Sequence, residues 1–108
     1  YGGTATITWQ SNTVITFNDL ALTKQMLPSL EAAAGKDNVH LVKATTGGED
    51  FSYFQEVVPG FYFFLGGMTP GNKESFPHHT PDFMIDDSSM LLGVNVFCQL
   101  TIDYLNAN

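Results

Sequence analysis

Residues 58–67 read VPGFYFFLGG, in which an unbroken apolar run lies between a Pro-Gly pair and a Gly-Gly pair. A continuous apolar segment of this length indicates a strand that is covered on both faces, as in the centre of an α/β sheet. We therefore predict a buried strand at 61–65, and this strand needs neighbours on both sides.

Three other segments have strand patterns. TATITW at 4–9 alternates threonine with apolar residues, which predicts a strand with one buried face. The pattern at 13–17 is also extended, and VHLVKA at 39–44 is short and rich in β-branched residues.

The segment LALTKQMLPSLEAAAG at 20–35 has helical periodicity. Asn18–Asp19 offers an N-cap and Gly35 a C-terminal stop, while Pro28 should remove one hydrogen bond and kink the helix. The predicted buried face holds five residues: Leu20, Met26, Leu27, Leu30 and Ala34.

Two more helices are predicted, a short one within EDFSYFQEVV at 49–58 and a final one capped by the acidic-serine run 86–88. The predicted buried face of the final helix holds seven residues: Met90, Leu91, Val94, Phe97, Cys98, Ile102 and Leu105. The alternation of strands and helices indicates a layered α/β fold.

Charge and cysteine content exclude several classes of protein. The 108 residues carry a net charge of −7 with four lysines and no arginine, which argues against nucleic-acid and membrane-surface partners. No segment reaches the length of a membrane span. Cys98 is the only cysteine, so no internal disulfide can form, and its apolar surroundings predict a buried, inert thiol. A single cysteine fits the cytoplasm and the periplasm equally.

Two turns carry candidate functional residues. PHHTPDF at 77–83, within a Gly- and Pro-rich loop at 66–83, places two histidines near several aspartates, a chemistry that suits zinc, manganese, cobalt or nickel. TTGGED at 45–50 lets a glycine backbone approach a ligand, with Glu49 pointing into a cleft. Surface histidines and a carboxylate at a helix N-terminus are the alternative readings of these turns.

In combination, GGEDFSYF, VPGFYFFLGG and HHTPDFMIDD resemble the C-terminal part of the metal-dependent amidohydrolases and peptidases. This superfamily includes hippurate hydrolase, indole-acetyl-amino-acid hydrolases, aminoacylases and zinc carboxypeptidases. The resemblance covers roughly residues 13–105, and the motifs follow one another in the family's order.

The resemblance implies a fragment of a layered α/β metallopeptidase catalytic domain. Residues 1–17 would be the end of a lid domain, with its last strand, and the crossover strand, and 18–108 the C-terminal portion of the catalytic domain. His79, two residues before the proline of a His-x-Pro-x-Phe element, would be a metal ligand. Gly47, Gly48, Glu49 and His78 would lie near the substrate.

The resemblance also implies what a parent protein would do. It would bind two divalent metal ions and hydrolyse the amide bond of N-acyl amino acids or small peptides. The remaining metal ligands and the general base belong to the missing N-terminal part of the same protein. No catalytic residue is expected within the 108 residues, which alone should bind no metal tightly and be inactive.

The alternative to an enzyme fragment is a non-catalytic interaction or assembly module that pairs through exposed strand edges. Both readings leave apolar strands to be covered, so we also expect a homo-oligomer, with elements exchanged between chains as one route.

Overall fold

The computed structural model describes residues 2–10, 13–72 and 74–108. Parts of the predicted lid segment 1–17 and of the loop 66–83 therefore lie outside the described residues. Within the described ranges the regular elements are α1 (Leu20–Ala34), a 3₁₀ turn (Lys36–Asn38), α2 (Phe51–Gln55) and α3 (Ser89–Ala107).

Helix α1 begins and ends where the sequence predicts. The carboxylate of Asp19 accepts a hydrogen bond from the backbone N–H of Leu22 at 2.8 Å, which satisfies one of the unpaired donors of the first turn. Gly35 follows the last turn with φ 83°, a left-handed conformation that favours glycine. Pro28 lies inside α1 without ending it, and the kink there stays a prediction.

Helix α3 begins after the predicted acidic run, and Asp86 organises its start. The Oδ1 atom of Asp86 accepts from the N–H of Ser88 at 3.0 Å, and its carbonyl accepts from the N–H of Ser89 at 3.2 Å. The last helix therefore begins directly after this run, as predicted, although its N-cap residue Ser88 makes no side-chain capping bond.

The small core lies between α1 and α3. Met26 and Leu30 of α1 are buried, and Val96 of α3 is only 1% exposed. The segment 61–65 also lies along α3, because a Cβ on the buried Gly93 would come within 2.9 Å of the Leu65 side chain.

The predicted buried face of α3 is wrong. Its members from Met90 to Leu105 are exposed, and Cys98, predicted as a buried thiol, is exposed too. Gly93 and Val96 are buried instead, with Leu92 and Leu100 half-buried. Apolar residues occur on more than one side of this helix, so helical periodicity alone does not select the side that packs. On α1, Met26 and Leu30 are buried as predicted and Ala34 is half-buried, whereas Leu20 at 76% and Leu27 at 37% are exposed.

The four predicted strands at 4–9, 13–17, 39–44 and 61–65 are not formed in this structure. A strand exists only when its backbone pairs with a neighbouring strand, and none of these described segments pairs with another in a ladder. The layered α/β architecture is therefore not confirmed, nor is the lid strand.

The described chain is open rather than closed around a core. Its radius of gyration is 18.3 Å, whereas a compact domain of this length would have about 13 Å. Large apolar side chains are exposed in every part of it, including Trp9 at 92% and Leu41 at 103%. None of the helices in the described ranges is long and apolar enough to cross a bilayer.

Candidate functional site

The GGE turn at 47–49 is fixed at its last residue. Gly47 and Gly48 are exposed, and Glu49 is half-buried. The carbonyl of Glu49 accepts from the backbone N–H of Ser52 at 3.2 Å and from its hydroxyl at 2.7 Å. Because Ser52 is fully buried, these bonds anchor the turn to the start of α2.

The carboxylate of Glu49 has two separate donors. Its Oε1 atom accepts from the N–H of Phe51 at 3.3 Å, and its Oε2 atom accepts from the hydroxyl of Tyr62 at 2.9 Å. The Phe51 bond, followed by the Tyr62 bond, lowers the pKa of Glu49. The same carboxylate raises the pKa of Tyr62, first through the hydrogen bond and then with the help of burial. The pair is therefore a carboxylate and a neutral phenol.

Tyr62 is in turn held by Asn18, whose side chain bonds to the Tyr62 backbone. The side-chain amide of Asn18 accepts from the Tyr62 N–H at 2.7 Å and donates to the Tyr62 carbonyl at 2.8 Å. The Tyr62 ring packs against Phe51 and Phe64, with ring centroids 5.6 Å and 5.4 Å away.

A second side-chain amide ties the end of α2 to the residue before Asn18. Gln55 donates to the carbonyl of Phe17 at 2.9 Å and accepts from its N–H at 3.0 Å. The N–H of Asp19 donates to the carbonyl of Gly60 at 2.9 Å. Residues 17–19 are thus held by the side-chain amides of Gln55 and Asn18 and by one backbone hydrogen bond to Gly60.

The two histidines lie on a separate turn, and both rings are exposed. His79 has φ 65°, an uncommon conformation for a residue other than glycine. The hydroxyl of Thr80 donates to the carbonyl of Pro77 at 2.8 Å and closes the turn. The His78 ring packs on Phe83 with centroids 4.5 Å apart, while the two imidazoles are 6.4 Å apart. The adjacent histidines therefore have different surroundings.

The described residues do not fit a complete metal centre. No three of their His, Cys, Asp or Glu side chains are grouped so that they could hold an ion, whereas a catalytic zinc site uses about three protein ligands. The carboxylate of Asp86, one of the aspartates near the histidines, is engaged at the start of α3 instead. On the turn at 77–83, each exposed imidazole could supply one ligand to a metal ion.

The structure keeps the predicted site residues in two groups. Gly47, Gly48 and Glu49 lie on one turn and His78 and His79 on the other. No hydrogen bond or ring contact within the described ranges joins the two turns. A cavity of about 200 Å³ opens beside Phe17, Gln55 and Gly60, and no predicted site residue lines it.

The sequence did not predict Tyr62 as the neighbour of Glu49, nor Asn18 as the residue that holds Tyr62. Tyr62 was predicted only as part of a buried apolar run. It is nevertheless the one residue of FYFFL with a hydroxyl, and a buried or half-buried tyrosine hydroxyl normally has a hydrogen-bond partner. That hydroxyl was the available signal.

Comparison with known proteins gives a family match. The sequence profile of peptidase family M20/M25/M40 matches residues 3–103. The chain is 29% identical to thermostable carboxypeptidase 2 of Saccharolobus solfataricus over 107 residues, 98% of this chain and 26% of that protein. It is 36% identical to N-acetylcysteine deacetylase of Bacillus subtilis over 74 residues, 67% of this chain and 18% of that protein.

A third relative is IAA-amino acid hydrolase ILR1-like 6 of Arabidopsis thaliana, which is 31% identical over 72 residues, 67% of this chain and 16% of that protein. The chain thus spans about a quarter or less of the length of these curated relatives. No solved structure matches it.

Proposed function

Because the chain belongs to peptidase family M20/M25/M40, we propose that it is the C-terminal part of a metal-dependent hydrolase. The substrates are N-acyl amino acids or small peptides, and the reaction is hydrolysis of their amide bond. The family match over residues 3–103 carries this proposal. The names of the relatives support the substrate class, since a peptide and an N-acetylated cysteine share an amide bond to the nitrogen of an amino acid.

The apolar segments support the proposal that the chain is one portion of a larger layered α/β domain. In that domain 61–65 and 39–44 are strands whose partners lie in the N-terminal part of the same protein. Residues 1–17 end the lid domain and 18–108 belong to the catalytic domain. The exposure of Leu41 and Trp9 favours this arrangement, because side chains of this size are normally covered in a closed fold.

His79 is the proposed metal ligand of this chain. Its ring is exposed on a turn with left-handed backbone, and imidazole is a common ligand for zinc, manganese, cobalt and nickel. A divalent ion at such a centre supplies a Lewis acid for the amide carbonyl. One donor does not make a site. We therefore propose that the 108 residues alone hold neither of the parent's two ions tightly and are inactive.

The GGE turn is the proposed substrate-cleft element, with Gly47 and Gly48 close to the substrate and Glu49 directed at it. Exposure of both glycines supports this role, because their backbone is free to approach a ligand. His78 is the proposed neighbour of the cleft on the other turn, although its ring packs on Phe83.

Hydrolysis by the full-length protein tests the proposed function. The purified protein, supplied with zinc, manganese, cobalt or nickel in turn, is incubated with N-benzoylglycine, N-acetyl amino acids and dipeptides, and the released amino acid is measured. We expect release with at least one metal and none from the 108-residue chain. A full-length protein that cleaves none of these compounds, yet binds a partner through residues of this chain, would contradict the proposal in favour of an assembly module.

A further inference from the structure

Glu49 is held by a chain of contacts that reaches across the sequence. Its Oε2 atom accepts from the Tyr62 hydroxyl at 2.9 Å, and the two residues are 13 positions apart. Its Oε1 atom accepts from the N–H of Phe51 at 3.3 Å. A carboxylate bonded at both oxygens is confined to one orientation, whereas a glutamate without partners samples several rotamers.

The hydroxyl of Tyr62 can hold this carboxylate because Tyr62 is itself fixed. Asn18 bonds both backbone polar groups of Tyr62, and the ring packs between Phe51 and Phe64. Asn18 lies directly before the N-cap of α1, so the connection extends from that helix to the GGE turn.

The bonds from Phe51 and Tyr62 take one acceptor position on each oxygen, out of about four on an ionised carboxylate. Asp50 lies beside the same carboxylate and also lowers the pKa of Glu49, through its side chain and its backbone. The remaining capacity suits an N–H donor. The amide N–H of an N-acyl amino acid is such a donor, and it adjoins the bond that the proposed hydrolysis breaks.

We infer that Tyr62 is a positioning residue that orients the Glu49 carboxylate to accept a hydrogen bond from the amide N–H of the substrate, with Asn18 fixing Tyr62. This inference rests on the proposed function. The alternative is a purely structural tie between the GGE turn and the segment 61–65.

A substrate that lacks the N–H separates the two roles. N-benzoyl-N-methylglycine carries a methyl group in place of that hydrogen, so we compare its kcat/KM with that of N-benzoylglycine in the full-length protein. We expect Tyr62→Phe and Glu49→Ala to reduce the preference for N-benzoylglycine by about tenfold or more, because one hydrogen bond to a charged group is lost or misdirected. Tyr104→Phe, the same change on the exposed side of α3, should leave the preference unchanged.

An unchanged preference in a folded Tyr62→Phe protein would overturn the inference, even if its melting temperature falls. Circular dichroism of each variant shows whether it folds. If Tyr62→Phe does not fold, Glu49→Leu is the second variant. It keeps about the size of the side chain but removes every acceptor, whereas a glutamine would keep one, and an unchanged preference in it would overturn the inference equally.

A second measurement does not depend on turnover. With 3-fluorotyrosine placed at position 62 of the full-length protein, ¹⁹F NMR follows the ionisation of this one phenol. We expect it to ionise at higher pH than free 3-fluorotyrosine and to return towards that value in the Glu49→Gln variant. If the phenol at position 62 ionised at the same pH as free 3-fluorotyrosine, the hydrogen bond between Tyr62 and Glu49 would be contradicted. If the contact is present and the wild-type protein cleaves no N-acyl amino acid, the proposed function has failed and the recognition role fails with it.

Discussion

The side-chain amide of Asn18 spans the backbone of Tyr62, accepting from its N–H at 2.7 Å and donating to its carbonyl at 2.8 Å. The amide thus occupies the place that a neighbouring strand would take. It pairs the segment 61–65 with the start of α1, and it holds the tyrosine whose hydroxyl reaches Glu49.

Asn18→Ala should destabilise the fold. It leaves the N–H and carbonyl of the half-buried Tyr62 without their partner, and we expect the free energy of unfolding to fall by about 1–3 kcal/mol. Denaturant-induced unfolding of the full-length protein measures this change. Asn72→Ala, at an exposed loop position, is the matched control and should change the stability by less than about 0.5 kcal/mol. Equal effects of the two substitutions would contradict the role given to Asn18.

Gly60→Ala should disrupt the Gln55 contact. A Cβ at position 60 would lie 2.5 Å from Cγ of Gln55, so the glutamine must move away from Phe17. We expect a loss of about 1–3 kcal/mol in the free energy of unfolding. Gly66→Ala is the control, because its Cβ would meet nothing within 4 Å.

A double substitution identifies the cause of that loss. If the clash with Gln55 is responsible, Gly60→Ala should cost less in a Gln55→Ala background than in the wild type. Strictly additive costs would show that the strain arises elsewhere.

The Glu49–Tyr62 pair should make stability depend on pH at both ends. The pKa of Glu49 is lowered in the folded state, so its stabilising contribution is present above the ordinary value of 4.5 and is lost as the pH falls below it. The pKa of Tyr62 is raised, so the neutral phenol contributes fully below the ordinary value of 10.0, and this contribution is lost as the pH rises through the folded pKa.

Glu49→Gln should therefore flatten both the acid and the alkaline limbs of the profile of melting temperature against pH. The Asp103 carboxylate, whose pKa is lowered by Gln99 and then Ser29, leaves a residual acid limb in the variant. An acid limb identical to that of the wild type would show that Glu49 contributes nothing to it.

The isolated 108-residue chain should self-associate. The outward residues of α3 are exposed, among them Leu91 at 69% and Ile102 at 56%, and such a face is costly in water. Sedimentation velocity at micromolar concentration should give species larger than a monomer, and Ile102→Glu should shift them towards the monomer. Asn95→Glu, on an exposed polar position of the same helix, should have a smaller effect. A monodisperse wild-type monomer would contradict this expectation.

The features that the sequence predicted correctly are local. Asp19 and Gly35 define the two ends of α1 through contacts within one turn. The acidic run before Ser89 defines the start of α3 in the same way. The prediction of the buried face of α3 is wrong because apolar residues lie on more than one side of the helix, and packing against α1 and the segment 61–65 selects the side of Gly93 and Val96.

Strands and the Glu49 contact depend on distant residues. The apolar pattern at 61–65 is that of a covered strand, but strand pairing needs a neighbour, and the described chain supplies the amide of Asn18 instead, 44 positions away. The separation of Tyr62 from Glu49 likewise hid their hydrogen bond, although the polar tip of Tyr62 required a partner.

The metal content of the full-length protein tests the role of His79 most directly. Wild-type, His78→Ala and His79→Ala proteins are purified with the same metal and analysed by inductively coupled plasma mass spectrometry. The neighbouring histidine is the matched control, because its ring packs on Phe83. We predict that His79→Ala loses about one divalent ion per protomer, since a catalytic site has few protein ligands to spare, while His78→Ala keeps the wild-type content. A folded His79→Ala protein with the full metal content of the wild type would contradict the assignment of His79 as a ligand.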